Sequence, residues 1–499
     1  MFKPTIENMK PDVILRKSAF KRLIPEEGLS PLGSAYTGMA GLHYETVTPA
    51  DCMREFDMHA HKIFSKTYYP NPVSKEEYVD KDGTMRERYY EKQLARVGVD
   101  LIQMFHTQRT SLLVGSSTDL RIVSRKASVK EKELFSGFRE GWEMKNLDNA
   151  RYELVSRAGK TMDAAICCYL DNGEFGWRAF SFEDGDECYP HYDQFTGRMS
   201  LFGRLFSAED EKGEQQQYLD VWDDTYHIRY RNGRGEDGKT GWVPDTDMTA
   251  HGFRRCPVVY MRYGETFWGN AIHPVDSMEM SLSQLLENNK AYALRILVAL
   301  GSEMEVKATF DGRPMQINGP ADGKVNYLEP ADASGSFELE LRKVEEQAYI
   351  AANCVRQQEI KSGADMSSLT VKMLNQPAYR KAILDAMKFQ PALDQLVDLF
   401  TYGYAMELGK SSDYEGFRVK ARTYPYVMMS ETEEVNSLVQ LKGSGSLSMR
   451  SAAEEAYNLG YGSVDEPERI LQEMHDELVG VQTEGNQGQN NPVASSRQQ

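Results

Sequence analysis

Four things are scarce in this chain of 499 residues: basic charge, paired cysteines, long apolar runs and complete catalytic motifs. Lysine and arginine number 58 against 75 aspartates and glutamates, a formal net charge of -17. Proteins that grip nucleic acid by neutralising phosphates are basic, so a general nucleic-acid binder is excluded. An acidic surface repels a polyanion, which suits contact that slides rather than holds. The six cysteines (Cys52, Cys167, Cys168, Cys188, Cys256 and Cys354) form no C-x-x-C pair. Cys167 and Cys168 point to opposite faces if they lie on a strand. This usage predicts reduced, intracellular thiols rather than zinc or a disulfide framework. The N-terminal "MFKPTIENMKPDVILRK" lacks the apolar core of a signal peptide. The run "AYALRILVAL" is short and interrupted by Arg295, so no membrane span is expected. "SRAGKTMD" carries Gly159, Lys160 and Thr161, but a phosphate loop needs a glycine five residues before Gly159, where Leu154 stands. An ordinary turn is expected there, and an ATPase loses its best support.

Hydrophobic residues make up 40% of the chain and aromatics 10%, enough for a core in two or three domains or one elongated subunit. Residues 1–84 are mixed. From Met85 to about Gln108, Tyr90, Leu94, Val97, Leu101 and Met104 or Phe105 recur at helical spacing, and a helix is expected. Residues 160–265 read as β-rich. "AAICCYL" and "GWRAFSF" flank a hairpin turn at "DNGE". "RMSLFGRLF" and the alternation of Tyr226, Ile228 and Tyr230 read as further strands. Pro274 and Asp276 announce a long helix with the stripe Met278, Leu282, Leu285, Leu286, Ala293, Leu297 and Leu300, stopped by Gly301. Short strands joined by Asp-Gly turns follow, over 303–330. A second long helix, 337 to about 360, carries Leu341, Val344, Ala348, Ala351 and Val355, a small-residue stripe that permits close approach. Next comes the polar loop "KSGADMSSLTVKML". A helix beginning at Pro377 then carries Ile383, Leu384, Met387, Leu393, Leu396, Val397, Phe400 and Tyr404 on an apolar face that runs to about Leu408, and should kink at Pro391. "FRVKARTYPYVMM" is extended. "ETEEVNSLVQLKG" opens a series of short helices, and "TEGNQGQNNPVASSRQQ" is a disordered tail.

The search for chemistry finds little. His59 and His61 would share a face on a strand and could ligate a metal, but their surroundings read helical, so surface histidines are expected. Asp184, Asp186, Glu187, His191 and Asp193 form a carboxylate cluster able in principle to hold a divalent cation. Gly185 and Pro190 mark it instead as a solvated connection. A metal-dependent hydrolase built on this cluster is one rival reading.

The order long helix, β island, long helix, polar loop, proline-containing helix resembles the portal protein of tailed bacteriophages, in the siphophage-type form. "HPVDSMEMSLSQLLENNKAYALRILVAL" resembles the family's outgoing stem helix, and "FELELRKVEEQAYIAANCVRQQEI" is similar to the returning one. "KSGADMSSLTVKML" resembles the Ser-Gly-x-Ala-x-Lys stretch of the tunnel loop, though longer, with Ser362, Gly363, Leu369, Val371 and Lys372 as matching positions. "SLVQLKGSGSLSMRSAAEEAYNLGYGSVDEPERILQEMHDEL" is similar to the crown.

The resemblance implies an elongated α+β portal fold. Its parts would be an N-terminal arm (1–40), an α/β wing (41–272), stem helix 1 (273–300), a β-containing clip (301–336) and stem helix 2 (337–360). After these come a tunnel loop (361–376), a kinked helix with return strand (377–425), a helical crown (426–480) and the tail (481–499). It implies a non-enzymatic ring of twelve subunits without cofactor, metal or membrane, at one capsid vertex, assembled in the host cytoplasm; the rival to that ring is a minor capsid or scaffold protein without a channel. Such a ring would carry on the order of 200 negative charges around sliding double-stranded DNA. The implied DNA-facing loop residues are Ser362, Gly363, Asp365, Met366, Ser367, Ser368 and Lys372. Leu341, Val344, Ala348, Ala351 and Val355 would pack the stem helices, and Pro391 would make the kink. Asp311, Arg313, Asp322 and Lys324 in the clip would meet the terminase large subunit and then the head-completion adaptor. The wing would face the major capsid and scaffolding proteins.

Overall fold

Alternating apolar and polar residues between 160 and 265 become two antiparallel sheets stacked on a shared core. In the computed structural model the described residues are 3–25, 42–79, 85–124, 128–209, 213–234, 240–293, 296–300, 305–308, 314–318, 324–328, 334–356, 375–425 and 431–445. One sheet has the strand order Val258–Arg262, Asp163–Asp171, Glu174–Phe180. The other runs Thr240–Pro244, Tyr226–Arg234, Gln215–Asp223, Met199–Glu209, Glu187–Tyr192, with Thr249–Ala250 added beside Tyr226–Arg234. The expected hairpin is there, Asp171 facing Glu174 across Asn172 and Gly173. Both turn residues have positive φ, 51° and 88°, the pairing that matches strand twist.

Among the described residues the α-helices, in chain order, are α1 (Pro11–Ile14), α2 (Pro49–Phe56), α3 (Leu101–Val114), α4 (Val129–Met144) and α5 (Leu147–Thr161). They continue with α6 (Ile272–Ala293), α7 (Ser334–Ala352), α8 (Gln376–Glu407) and α9 (Glu431–Gly443). Reciprocal side-chain caps start two of them, Thr48 with Asp51 on α2 and Ser128 with Glu131 on α4. Helices α5 and α8 cover the outer face of the three-stranded sheet. The strand Asp163–Asp171 therefore lies between two cores: Ala164, Ile166 and Cys168 face the helices, while Ala165 and Cys167 face Phe202 and Trp222 of the second sheet. The opposed thiols are as alternation requires. All six cysteines are free and buried. On the far side of the second sheet, Ile6, Met9 and Ile14 close a third core with Leu201, Leu219 and Val221. Two glycines permit close approach. A Cβ on Gly141 would stand 2.5 Å from the Tyr404 ring, and one on Gly159 2.6 Å from the Phe267 ring.

The chain divides into two compact units, Met1–Gln358 with Asn375–Tyr426, and Glu359–Leu374 with Val427–Gln499. In the second unit α9 matches the expected "ETEEVNSLVQLKG" helix end to end. The remaining crown helices and the expected disordered tail lie outside the described residues.

Several expectations are corrected. Met85–Glu91 is a strand paired with Val73–Val79, and the helix starts only at Leu101. "MRERYYE" has only Tyr89 and Tyr90 as β-formers, and it is the pairing with Val73–Val79 that makes it a strand, so the helical spacing beyond it was a coincidence. Helix α6 ends at Ala293, not Gly301, because Ile296–Leu300 pairs with Lys324–Leu328. Short apolar runs do not distinguish buried helix from strand. Helix α7 begins at Ser334 and stops at Ala352, where Asn353 turns left-handed at φ 54° and ends the helix in place of glycine. Residues 357–360 of the expected second stem helix lie outside the described ones. Gly159–Thr161 is the last turn of α5 rather than a loop. Helix α8 starts at Gln376, one residue before the expected Pro377, and is helical through exposed Pro391, which forfeits one backbone bond to residue 387. Of its expected apolar face Leu393, Leu396, Val397, Phe400 and Tyr404 are buried, whereas Ile383, Leu384 and Met387 are exposed and Ala378, Ala382, Asp385 and Phe389 are buried in their place.

Candidate functional site at the base of the two long helices

Helices α6 and α7 pack on one another and flank the strand-built insertion. Within it, Ile296–Leu300 pairs with Lys324–Leu328 and Glu305–Ala308 with Pro314–Asn318. What fixes α6 is a line of acceptors four residues apart. Val99 N–H donates to Glu279 Oε1 (2.8 Å), Val97 N–H to Ser283 Oγ (3.0 Å) and Ala95 N–H to Glu287 Oε1 (2.6 Å). Four residues of helix rise about 6 Å, and two of extended chain about 6.6 Å, so the two repeats stay in step over three rungs. Each rung satisfies a backbone donor that has no strand partner, and two of them are strengthened by an ionised acceptor.

The lowest rung ends in a buried charge cluster. Glu279 is 0% exposed, and its Oε1 also meets His61 Nδ1 at 2.6 Å. His61 Nε2 lies 2.9 Å from the Glu55 carbonyl. A carboxylate and a carbonyl only accept, so both ring nitrogens must donate and the ring is an imidazolium. Burial pushes the imidazole pKa down, but the bond to Glu279, its charge, the Glu55 carbonyl and Asp276 carry it above its ordinary value. Around it Arg22 and Trp268 Nε1 hold the Glu55 carboxylate, and Lys62 pairs with Asp276 at 3.3 Å. Three cations thus balance three carboxylates, as buried charge requires.

A second cluster ties α3 to α8. Arg109 Nη2 donates to Asp385 Oδ2 (2.6 Å) and Arg109 Nη1 to the Phe267 carbonyl (2.6 Å). The Tyr263 hydroxyl donates to Asp385 Oδ1 (2.6 Å). The Arg109 guanidinium also lies 4.5 Å over the Phe267 ring.

The metal readings fare differently from one another. His61, expected at the surface, is buried, because Glu279 draws it inward; His59 is exposed. The carboxylate cluster at 184–193 is dispersed. Asp184 pairs with Arg157, Asp186 is buried against Arg204 (2.7 Å), and Glu187 accepts from Tyr189. His191 donates to the Ile14 carbonyl (2.7 Å), and Asp193 accepts from the Phe195 and Thr196 backbone. The solvated connection expected there is corrected at Asp186. Among the described residues no group of three or more metal-ligating side chains comes together.

The structure places the expected stem residues but not the loop. Ala348 and Val355 are buried in this chain's own core, and Leu341, Val344 and Ala351 are half-buried. Val355 is past the end of α7, where its N–H and C=O are both bound by the Gln108 side chain of α3. Lys324 begins a strand opposite Leu300. Asp311, Arg313 and Asp322 lie outside the described residues, as do Ser362, Gly363, Asp365, Met366, Ser367, Ser368, Leu369, Val371 and Lys372. Sequence reading missed Glu279, Ser283 and Glu287, although polar residues at a strict four-residue spacing beside an apolar stripe were the available signal.

No curated protein matches the chain. A solved structure described as "Neck of empty GTA particle computed with C6 symmetry" is similar at 11% identity, covering 72% of this chain and 90% of that one, with a TM-score of 0.35. The family model described as "Phage portal protein, SPP1 Gp6-like" matches residues 57–478, which takes in both long helices, the insertion between them and α9. The chain belongs to that family of phage portal proteins.

Proposed function

We propose that the chain is a non-enzymatic portal subunit whose ring, of twelve copies, forms the DNA channel at one capsid vertex. The family match across 57–478 carries this reading. A terminase motor would drive double-stranded DNA inward through the ring, and the same channel would later release it to the tail. The chain's own charge of -17 favours a lining that repels DNA rather than holding it. In this reading α6 and α7 are the stem, and the strands between them are the clip that meets terminase and then the head-completion adaptor. Residues 41–272 are the wing facing major capsid and scaffolding proteins, 361–376 the tunnel loop, and 426–480 the crown. The clusters at His61–Glu279 and Arg109–Asp385 hold the stem and α8 rigid against the wing, so that force on the clip is passed to the shell.

The clip is the most direct handle. Replacing Asp311, Arg313, Asp322 and Lys324 together by alanine leaves ring assembly intact and lowers motor-driven DNA uptake by about tenfold or more, as expected when several charged contacts are lost. The check is a DNase-protection packaging assay with purified motor and proheads. Uptake equal to wild type would remove the clip from the motor interface.

A further inference from the structure

We propose that the cleft between the two stacked sheets binds a single oxyanion, the carboxylate or phosphate group of a ligand. Nothing in the ring reading requires such a site, so the two stand or fall separately.

The cleft opens beside the core in which Phe180 and Cys167 of the smaller sheet meet Phe202 and Trp222 of the larger. Its volume is about 520 Å³, within the range of sites that hold small ligands. Register decides what faces it. Asp220 stands opposite Arg204 on one neighbouring strand and Arg229 on the other, and Trp222 stands opposite His227. Residues directly opposite share a face, so this set forms one wall. Arg178 belongs to the other, on the edge strand Glu174–Phe180 of the smaller sheet.

Inside, hydrogen-bond donors outnumber acceptors. Among the described lining residues Asp220 is the only carboxylate, and Arg229 occupies both its oxygens, Oδ1 with Nε (2.7 Å) and Oδ2 with Nη2 (3.1 Å). Three donor groups are left over. His227 Nε2 is buried and makes no hydrogen bond, with Asp220 Oδ1 3.5 Å away. Arg204 Nη1 stands 3.6 Å from Asp220 Oδ2, beyond bonding distance. Arg178 is exposed at the cleft and pairs with no carboxylate among the described residues.

Two of the three are held in place. The His227 ring is stacked on Trp222, with centroids 4.7 Å apart. Arg204 is 6% exposed and lies 4.2 Å from the Phe180 and Phe206 ring centroids, while Asp186 Oδ1 accepts from its Nε at 2.8 Å. Neither is free to turn elsewhere, and a buried donor without an acceptor is costly. With Arg204 matched by Asp186 and Arg229 by Asp220, Arg178 remains as an unmatched cation, in a chain of net charge -17. A group that satisfies all three donors is rich in acceptors and negatively charged. Charge-assisted bonds to donors already fixed give such a group its affinity. A cationic or wholly apolar ligand would leave the same donors unfilled.

Isothermal titration of the full chain at constant ionic strength tests the site. The probes are inorganic phosphate, acetate and a blocked Gly-Glu-Gly peptide, whose side-chain carboxylate is its one charge. The expected result is saturable binding of one oxyanion per chain, weakened about tenfold or more in Arg178→Ala by loss of its charged bonds. His227→Phe keeps a ring on Trp222 but no donor, and weakens binding several-fold. Arg139→Ala, on the exposed face of α4, leaves it unchanged. Tighter binding of the peptide than of acetate supports the site and identifies a partner's side chain as the source. Tighter binding of either free ion supports it and identifies a solute. No saturable binding of any probe, or binding that Arg178→Ala leaves unchanged, would overturn the oxyanion site and leave the portal reading standing.

Discussion

Asp385→Ala lowers the stability of the chain by about 3–5 kcal/mol, the usual cost of removing one partner from a buried ion pair. Asp385 is 2% exposed and receives both the Arg109 guanidinium and the Tyr263 hydroxyl. Its loss leaves the buried Tyr263 hydroxyl without its acceptor and Arg109 Nη2 with only the Tyr263 oxygen, and the desolvation penalty is no longer offset. Arg109 keeps the Phe267 carbonyl, so the guanidinium is not released to water. The loss should fall mainly on the junction of α3 and α8. Asp385→Asn, which still accepts from Tyr263, should cost less. Urea unfolding of the full chain reads both, and a change below about 1 kcal/mol in Asp385→Ala would show that the pair does not hold α8.

Glu279→Ala has a comparable effect by a different route, and its effect depends on pH. The substitution removes the acceptor of the lowest rung and the counter-ion of a buried imidazolium, again about 3–5 kcal/mol. Because the folded-state pKa of His61 is raised, its contribution is fully present below the unfolded value of about 6.5 and is lost as pH rises through the folded value. Wild type therefore loses stability on going from mildly acidic to alkaline pH, and the gap between wild type and Glu279→Ala narrows over the same window. Hydrogen exchange should show the amide of Val99 unprotected in the variant and that of Ala95 less affected. A gap that stays constant with pH would mean that the His61 ring is not charged in the folded chain.

Local chemistry was legible and distant pairing was not. Helix α9 and the Asn172–Gly173 hairpin were readable because their signals lie within a few residues. The start of α8 was readable from Pro377, which presets the first turn. The strand Ile296–Leu300 was misread because its partner, Lys324–Leu328, is what makes it a strand. The segment 85–99 was misread for a related reason. An Asp82-Gly83 dipeptide is a turn signal, but neither flanking run alternates clearly and the spacing of Tyr90, Leu94 and Val97 obscured it. The rungs that hold 95–99 extended come from residues 180 to 192 positions away. Buried polar groups were the least legible of all. Asp385 sits between exposed apolar residues on α8, and its partner Arg109 is 276 residues distant. Periodicity sorts side chains by polarity and so assigned the wrong face to the first turns of that helix.

The central claim is a channel, and electron microscopy of negatively stained particles from the purified chain tests it most directly, with the mass taken in parallel. The account predicts rings with a stain-filled central hole and a mass of about twelve subunits. Compact particles of single-subunit mass, without a hole, would contradict it.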